Sequence, residues 1–197
     1  DKFNTGDIIL FEHIYDKSSV KSAFMSVLDE GIGWFTKSKY SHVGIVIKDP
    51  KFTNPQLNGL FLLESNREDF PDAENDEIKC GVEIVDLKNV VDNYHGNIYW
   101  RKLVCDRGDK FNSLLAEAHS VIHNRPYDLI VGDWVSVAMG KDNRNTQRKN
   151  TFWCSALVAY VYTHLGFLTN ETKWTMATPK MFGTERQRNK LSLLNYH

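Results

Sequence analysis

The chain has 197 residues, of which 42% are hydrophobic and 25% are charged, with a formal net charge of −1 at pH 7. These values are typical of globular chains and exclude a wholly disordered chain, a collagen-like repeat and a coiled-coil rod. The balanced charge provides no overall field that would attract nucleic acid or an anionic membrane surface. The length fits one domain, which we take to span residues 1–197.

Five segments predict β-strands, because they are rich in β-branched and aromatic residues and end at turn signals. They are residues 7–13, 42–47, 60–64, 81–87 and 97–104. Asp7 follows a turn and is interpreted as structural. Residues 64–77 carry seven carboxylates and one arginine, which predicts a solvated loop.

Helical periodicity predicts four helices, at residues 20–35, 109–124, 128–139 and 151–165. Asp109 is the expected N-cap of the second, and Gly166 is the expected residue after the end of the last. The strands lie close together in sequence and helices flank them. This order predicts an α+β fold with an antiparallel sheet packed against helices.

No apolar run approaches the roughly 20 residues that a membrane helix needs. The sequence therefore predicts no transmembrane segment and, by default, a cytoplasmic location. Export stays open, because the chain begins at Asp1 and a targeting segment would lie before it. The basic loop at residues 140–150 lacks interleaved aromatic residues, so we expect no nucleic-acid partner. The sequence leaves the oligomeric state open.

Cys154 is the first candidate for chemistry. It is predicted to lie in the first turn of a helix, with Asn150 or Thr151 as the cap. The N–H groups and the dipole of a first turn stabilise negative charge, which favours a nucleophilic thiolate. The alternative is a small hydrophobic residue on a buried helix face, as free cysteines often are. Cys80 and Cys105, the other two cysteines, are widely spaced from it, which matches neither a disulfide framework nor a zinc motif.

His42 and Glu64 are the candidate partners of Cys154. If residues 42–48 pair antiparallel with residues 58–64, His42 faces Glu64 across the ladder, and a carboxylate there can orient the imidazole. A slip of one residue would place Glu64 on the opposite face of the sheet. The alternatives are a strand-end histidine bonded to backbone and one more acid of an acidic loop.

Other residues allow a functional and a structural interpretation. His119 and His123 are spaced as metal-binding pairs are, but no third ligand is apparent and the HExxH pattern is absent, so we expect no metal site. Tyr127 either shapes a helix start with Asp128 or reaches the cleft. Trp34, Phe35 and Trp153 are candidates to line an apolar substrate groove, although aromatic residues near a core usually belong to it.

The order of several short motifs resembles that of the YiiX-like cysteine hydrolases. These form a permuted branch of the NlpC-type papain-fold superfamily, and the wider group includes lecithin–retinol acyltransferase-like proteins and a poxviral relative. The strand that carries the histidine precedes the helix that carries the cysteine, as in the permuted order. The motifs are TGDIIL from Thr5, YSHVGIV from Tyr40, LLES from Leu62, RPYD from Arg125, FWCSALV from Phe152 and the pair Thr178-Pro179.

The resemblance implies a circularly permuted papain-like fold and a thiol hydrolase without a cofactor. By position it implies Cys154 as nucleophile, His42 as base and Glu64 as the orienting residue. Ala156 departs from the pattern, since glutamate is expected there, and this departure concerns substrate preference. The expected substrate is a peptide-like or lipid-like amide or ester. The alternatives are a lipid-directed acyltransferase or thioesterase, and a non-catalytic binding module on the same fold.

Overall fold

The computed structural model describes residues 2–13, 39–67, 70–127 and 152–183. Along these ranges it contains five strands, three α-helices and two short 3₁₀ turns. The strands are β1 (Ile8–His13), β2 (His42–Lys48), β3 (Leu60–Arg67), β4 (Cys80–Asp86) and β5 (Gly96–Arg101). The helices are α1 (Leu87–Asn93), α2 (Asp109–Ile122) and α3 (Cys154–His164), and the 3₁₀ turns are Trp174–Met176 and Pro179–Phe182.

The five strands form one antiparallel sheet in the order β4-β3-β2-β1-β5. The predicted α+β class and antiparallel sheet are therefore confirmed. β5 returns beside β1, at the opposite edge of the sheet from β4. Asp7 holds β5 and the residues after it beside β1. Its buried carboxylate accepts hydrogen bonds from Leu103 N and Trp100 Nε1, both at 2.9 Å. Its structural interpretation agrees with this geometry.

Both faces of the sheet are covered, which explains why its central strands read as continuous hydrophobic runs. On one face, side chains such as Val43, Ile45 and Leu63 join the main core beneath α2 and α3. On the other face, Val46 and Leu62 pack in a smaller core that includes two residues of α1. The strand ends, where side chains leave these cores, are the positions from which polar groups can reach a cleft.

The helix α3 is buried far more completely than an amphipathic pattern requires. All nine residues from Cys154 to Tyr162 are buried. The helix therefore lies inside the domain, in contact with β2, β3 and α2. It ends at Leu165, and Gly166 follows with a φ of 83°, as predicted. A helix enclosed in this way holds its first residue in a fixed position relative to the sheet.

Several predicted boundaries were wrong. β3 continues to Arg67, so the first residues of the predicted solvated loop belong to the sheet, and Asp72 within that loop is buried. The helix α1 was missed, although Asp86 caps it by accepting a hydrogen bond from Asn89 N at 2.8 Å. The N-cap of α2 is Gly108 rather than Asp109.

The predicted helices at residues 20–35 and 128–139 lie outside the described residues, as do the basic loop at residues 140–150 and the residues Trp34 and Phe35. Among the helices that the structure describes, none combines the length and the hydropathy that crossing a membrane requires.

Candidate active site

Cys154 lies in the first turn of α3, as the sequence predicts, but it is the first residue of the helix, and its side chain is buried in the main core. The predicted caps, Asn150 and Thr151, are not the N-cap; Trp153 is, and among the described residues its side chain caps no backbone N–H of the helix. The first-turn N–H groups of an α-helix have no intrahelical acceptor, so the positive end of α3 surrounds the thiol.

Three hydrogen bonds from side chains hold the segment that leads into α3. Ser65, buried on β3, donates to the Phe152 carbonyl at 2.6 Å. Ser155 Oγ and Trp153 Nε1 both donate to the Ala177 carbonyl, at 2.7 and 3.2 Å. The sulfur is therefore positioned from both the sheet and the segment after α3. Neither Ser65 nor Ser155 is a predicted site residue, although each directly follows one in the sequence.

His42 opens β2, and its Nε2 contacts Oε2 of Glu64. The predicted pairing of these two residues directly across the ladder was wrong, because Ile45 pairs with Leu63 and the register is displaced by two residues. A displacement of two keeps both side chains on one face of the sheet. If this register is continued by one residue, Gly44 lies opposite Glu64. Gly44 has no side chain, so the His42 imidazole can reach the Glu64 carboxylate diagonally across the ladder.

The Cys154 thiol lies close enough to the same imidazole to raise the imidazole's pKa by charge and by hydrogen bonding. Because Nε2 contacts Glu64, the nitrogen left for the sulfur is Nδ1. The structure thus brings together the three residues that the sequence nominated, in the order thiol, imidazole, carboxylate. They come from three different elements: β2, β3 and the start of α3.

Burial and charge act in opposite directions on His42. Burial is the largest influence and lowers the pKa of the imidazole, but the combined attraction and hydrogen bonding of Glu64 and Cys154 outweigh it. The pKa of His42 is therefore raised well above 6.5. When protonated, this imidazole is a cation beside the sulfur, and such a cation stabilises a thiolate.

Glu64 is buried, and its carboxylate contacts His42. Its side chain is only 1% exposed, and Oε1 accepts no hydrogen bond from the residues in the described ranges. The His42 side chain is 19% exposed and lies against the Phe11 ring, with the ring centroids 5.3 Å apart. One wall of the cluster is therefore apolar, and the imidazole is the member that retains contact with solvent.

The two candidate substrate-contacting residues lie beside the cysteine segment. Tyr127 forms an isolated bridge with Phe152, and its N–H donates to the Cys80 carbonyl at 3.2 Å. Trp153 is 7% exposed and belongs to the main core. Both residues thus support the backbone near Cys154, and their contact with a substrate stays a prediction.

The other two cysteines differ from Cys154 in their surroundings. Cys80 and Cys105 are free thiols that are partly buried. Burial raises the pKa of the Cys105 thiol, although the nearby Arg107 cation opposes the shift. Cys105 is therefore an internal reference for an unactivated thiol in the same chain.

A second group of polar side chains lies outside this cluster. Glu74, from the predicted solvated loop, contacts both His119 and His123. The sequence offered no third ligand for this histidine pair, because Glu74 lies 45 positions from His119 and only the fold brings them together.

The chain was compared with models of known protein families and with curated proteins, and neither comparison found a match.

Proposed function

We propose that the chain is a cysteine hydrolase that cleaves an amide or ester bond. The observation that carries this proposal is the position of one imidazole: His42 contacts the buried Glu64 carboxylate and lies near enough to the Cys154 thiol for the thiol to raise its pKa. A nucleophile, a base within hydrogen-bond reach and a third group that orients the base are the parts that thiol catalysis needs.

The first half of the reaction is acylation. The Cys154 thiolate attacks the substrate carbonyl carbon, a C–S bond forms, and the carbonyl oxygen becomes an oxyanion. The N–H of Cys154 at the start of α3 is the candidate donor to that oxyanion. Protonated His42 then gives its proton to the leaving nitrogen or oxygen as the C–N or C–O bond breaks, which leaves a thioester on the enzyme.

The second half returns the enzyme to its starting state. Water attacks the thioester carbon while His42 accepts a proton from it, and the C–S bond breaks to release a carboxylic acid. Glu64 keeps Nε2 of His42 as a donor in both halves, so that Nδ1 stays directed at the sulfur and at the attacking water. No step requires a cofactor.

The same three residues support a more specific proposal for the fold. The strand that carries His42 precedes the helix that carries Cys154, and an antiparallel sheet packs against that helix. We propose that this arrangement is a circularly permuted papain-like fold of the YiiX-like type, which the sequence motifs resemble. The substrate class that follows is a peptide-like or lipid-like amide or ester.

The test that needs no substrate is alkylation with iodoacetamide from about pH 4 to pH 9, with peptide mapping of all three cysteines. We expect iodoacetamide to alkylate Cys154 faster than Cys105 at acidic and neutral pH, and we expect His42→Ala to abolish this difference. Cys105 is the matched reference, because burial raises the pKa of its thiol. A Cys154 no more reactive than Cys105, or unaffected by His42→Ala, would contradict the proposal and favour a non-catalytic binding module.

Product analysis separates hydrolysis from acyl transfer. Amide, ester and lipid substrates are incubated with the chain, with and without an added amine or lipid acceptor. Hydrolysis gives a free acid whether or not the acceptor is present. A transferred acyl chain would instead identify a lipid-directed acyltransferase, which uses the same Cys154 thioester.

A further inference from the structure

The carboxylate of Glu74 lies between two imidazoles at the C-terminal end of α2. Its Oε2 is 2.9 Å from Nε2 of His119 and 3.0 Å from Nδ1 of His123. One ligand atom from each residue can be chosen so that all three lie within 4.8 Å of one another. The cluster shares no residue with the Cys154 site.

Two elements hold the three members of the cluster. Glu74 belongs to an ordered turn, in which its N–H donates to Oδ1 of the buried Asp72 at 2.9 Å and Ala73 N donates to the Ile84 carbonyl at 2.7 Å. His119 and His123 lie one helical turn apart, and the His123 N–H donates to the His119 carbonyl. The donor set is therefore fixed by a turn beside the sheet and by a helix end.

We propose that Glu74, His119 and His123 bind a divalent transition-metal cation, with Zn²⁺ as the ion that these ligands match. Two imidazole nitrogens and one carboxylate oxygen are a common protein donor set for zinc. Bonds of about 2.0–2.1 Å in a tetrahedron place neighbouring ligand atoms roughly 3.3 Å apart. The two nitrogen–oxygen distances in the cluster are shorter than this by a few tenths of an ångström, and all three ligand atoms lie within 4.8 Å of one another, so rotation of the imidazoles must bring the set to tetrahedral spacing.

Burial and charge around the cluster agree with a bound cation. The side chains of His119 and Glu74 are 9% and 5% exposed, whereas that of His123 is 36% exposed, so water can occupy a fourth position from its side. The Phe52 ring lies against His119, at 4.8 Å between centroids, and restrains that imidazole. The C-terminal end of a helix also favours positive charge.

One cation already lies near the cluster. Lys79 forms an ion pair with Asp72 and a hydrogen bond with Asn124, the residue after His123. Because Asp72 balances the Lys79 charge, the carboxylate of Glu74 remains for the metal. Binding also requires both imidazoles to be unprotonated at the nitrogens that face Glu74, so protons and metal compete for this site.

The test is calorimetric titration of the full chain with Zn²⁺ in a Cys154→Ser background, which removes the thiol as a competing ligand. We expect one Zn²⁺ per chain, and a loss of affinity of at least about tenfold in Glu74→Gln and in His123→Gln. His164→Gln is the matched control, because His164 lies 3.5 Å from Glu117 in a histidine–carboxylate pair outside this cluster. It should bind Zn²⁺ as the background protein does.

Thermal unfolding provides a second readout, because a metal that binds only the folded chain raises Tm. At Zn²⁺ concentrations near 100 times Kd the rise should be roughly 5–10 °C in the background protein and close to zero in Glu74→Gln. Absence of Zn²⁺ binding, or binding that survives in both Glu74→Gln and His123→Gln, would overturn the proposal. Binding that appears only when the Cys154 thiol is present would also overturn it.

Discussion

Two carboxylate–imidazole clusters in this chain use the same two residue types and differ in their third member. In the first, Glu64 contacts His42, and the Cys154 thiol lies near enough to the same imidazole to raise its pKa. In the second, Glu74 contacts two imidazoles, those of His119 and His123. In our two proposals the third member decides the chemistry: the thiol is activated by the histidine, whereas the second imidazole completes a set of metal ligands.

The helix end beside each cluster agrees with this difference. The Cys154 sulfur lies at the N-terminus of α3, where the helix dipole favours an anion such as a thiolate. His119 and His123 lie at the C-terminus of α2, where the dipole favours a cation. The comparison therefore predicts different responses to substitution, which the following experiments measure.

The largest expected effect is that of Cys154→Ala on turnover. Removal of the nucleophile should lower kcat by at least about 10⁴-fold, because the proposed mechanism forms its thioester on the thiol beside His42. The fold should remain, since alanine is a small apolar residue in a buried position, and Tm should change by only a few degrees. The measurement is hydrolysis of a peptide amide and an ester, beside a thermal unfolding curve.

Cys105→Ala is the control for the loss of a thiol elsewhere in the chain, and its turnover should match that of the unsubstituted protein. If Cys154→Ala retained full activity while Cys105→Ala did not, the first cluster would not be the catalytic one.

Glu64→Gln should have the second-largest effect, a loss of roughly 10²-fold in turnover, because the carboxylate orients His42 and does not react. It should also change the pH profile. Loss of the negative charge lowers the pKa of His42, so the decline of activity at alkaline pH should move to lower pH.

The measurement is kcat/KM against pH, with Glu117→Gln as the matched control because Glu117 also pairs with a histidine, His164. An unchanged pH profile in Glu64→Gln would remove Glu64 from the catalytic group, even if the rate fell.

Ser65→Ala tests how far the sheet positions the nucleophile. The buried Ser65 hydroxyl donates to the Phe152 carbonyl, and its loss should cost about 1–3 kcal/mol of unfolding free energy. Alkylation of Cys154 should also slow, because Phe152 lies two residues before the sulfur. Denaturant unfolding and alkylation rates give both values.

Ser113→Ala removes an exposed hydroxyl that contacts Glu117 on the surface of α2, and it should change stability by less than about 0.5 kcal/mol. Equal effects of the two substitutions would show that the bond from Ser65 contributes nothing specific.

The first cluster could be predicted from sequence because its determinants are local. Cys154 begins a helix and His42 begins a strand, so each pattern predicts where a side chain leaves the core. Side chains alternate between the two faces of a sheet, so an error of two residues in the register still places His42 and Glu64 on the same face. The register was wrong by two residues, yet a two-residue displacement returns the side chain to the same face.

The second cluster could not be predicted because its carboxylate, Glu74, reaches the two histidines only through a contact between residues far apart in the sequence. The i, i+4 spacing shows His119 and His123, but Glu74 looked like one more acid in a charged loop. Hydrogen bonds that no local pattern shows, such as that between Ala73 N and the Ile84 carbonyl, bring this turn beside α2. Ser65 was missed for the same reason, since its acceptor lies 87 residues away.

The smallest expected effect is a pH dependence of stability that has opposite signs in the two clusters. The folded-state pKa of His42 is raised above 6.5, so its contribution to stability is complete below that pH and is lost as the pH rises through the folded-state pKa. Burial raises the pKa of Glu74, but His119 and His123 outweigh this and lower it below 4.5. Its contribution is therefore complete above about pH 4.5 and is lost as the pH falls through the folded-state pKa.

Thermal unfolding across pH separates the two contributions. His42→Gln should flatten the decline of Tm on the alkaline side and leave the acid side unchanged, whereas Glu74→Gln should flatten the acid side alone. Zn²⁺ sharpens the distinction, because it should raise Tm in His42→Gln and leave Tm unchanged in Glu74→Gln. A flattened alkaline side in Glu74→Gln would mean that the two clusters are coupled, and the independent roles argued from their third members would then be wrong.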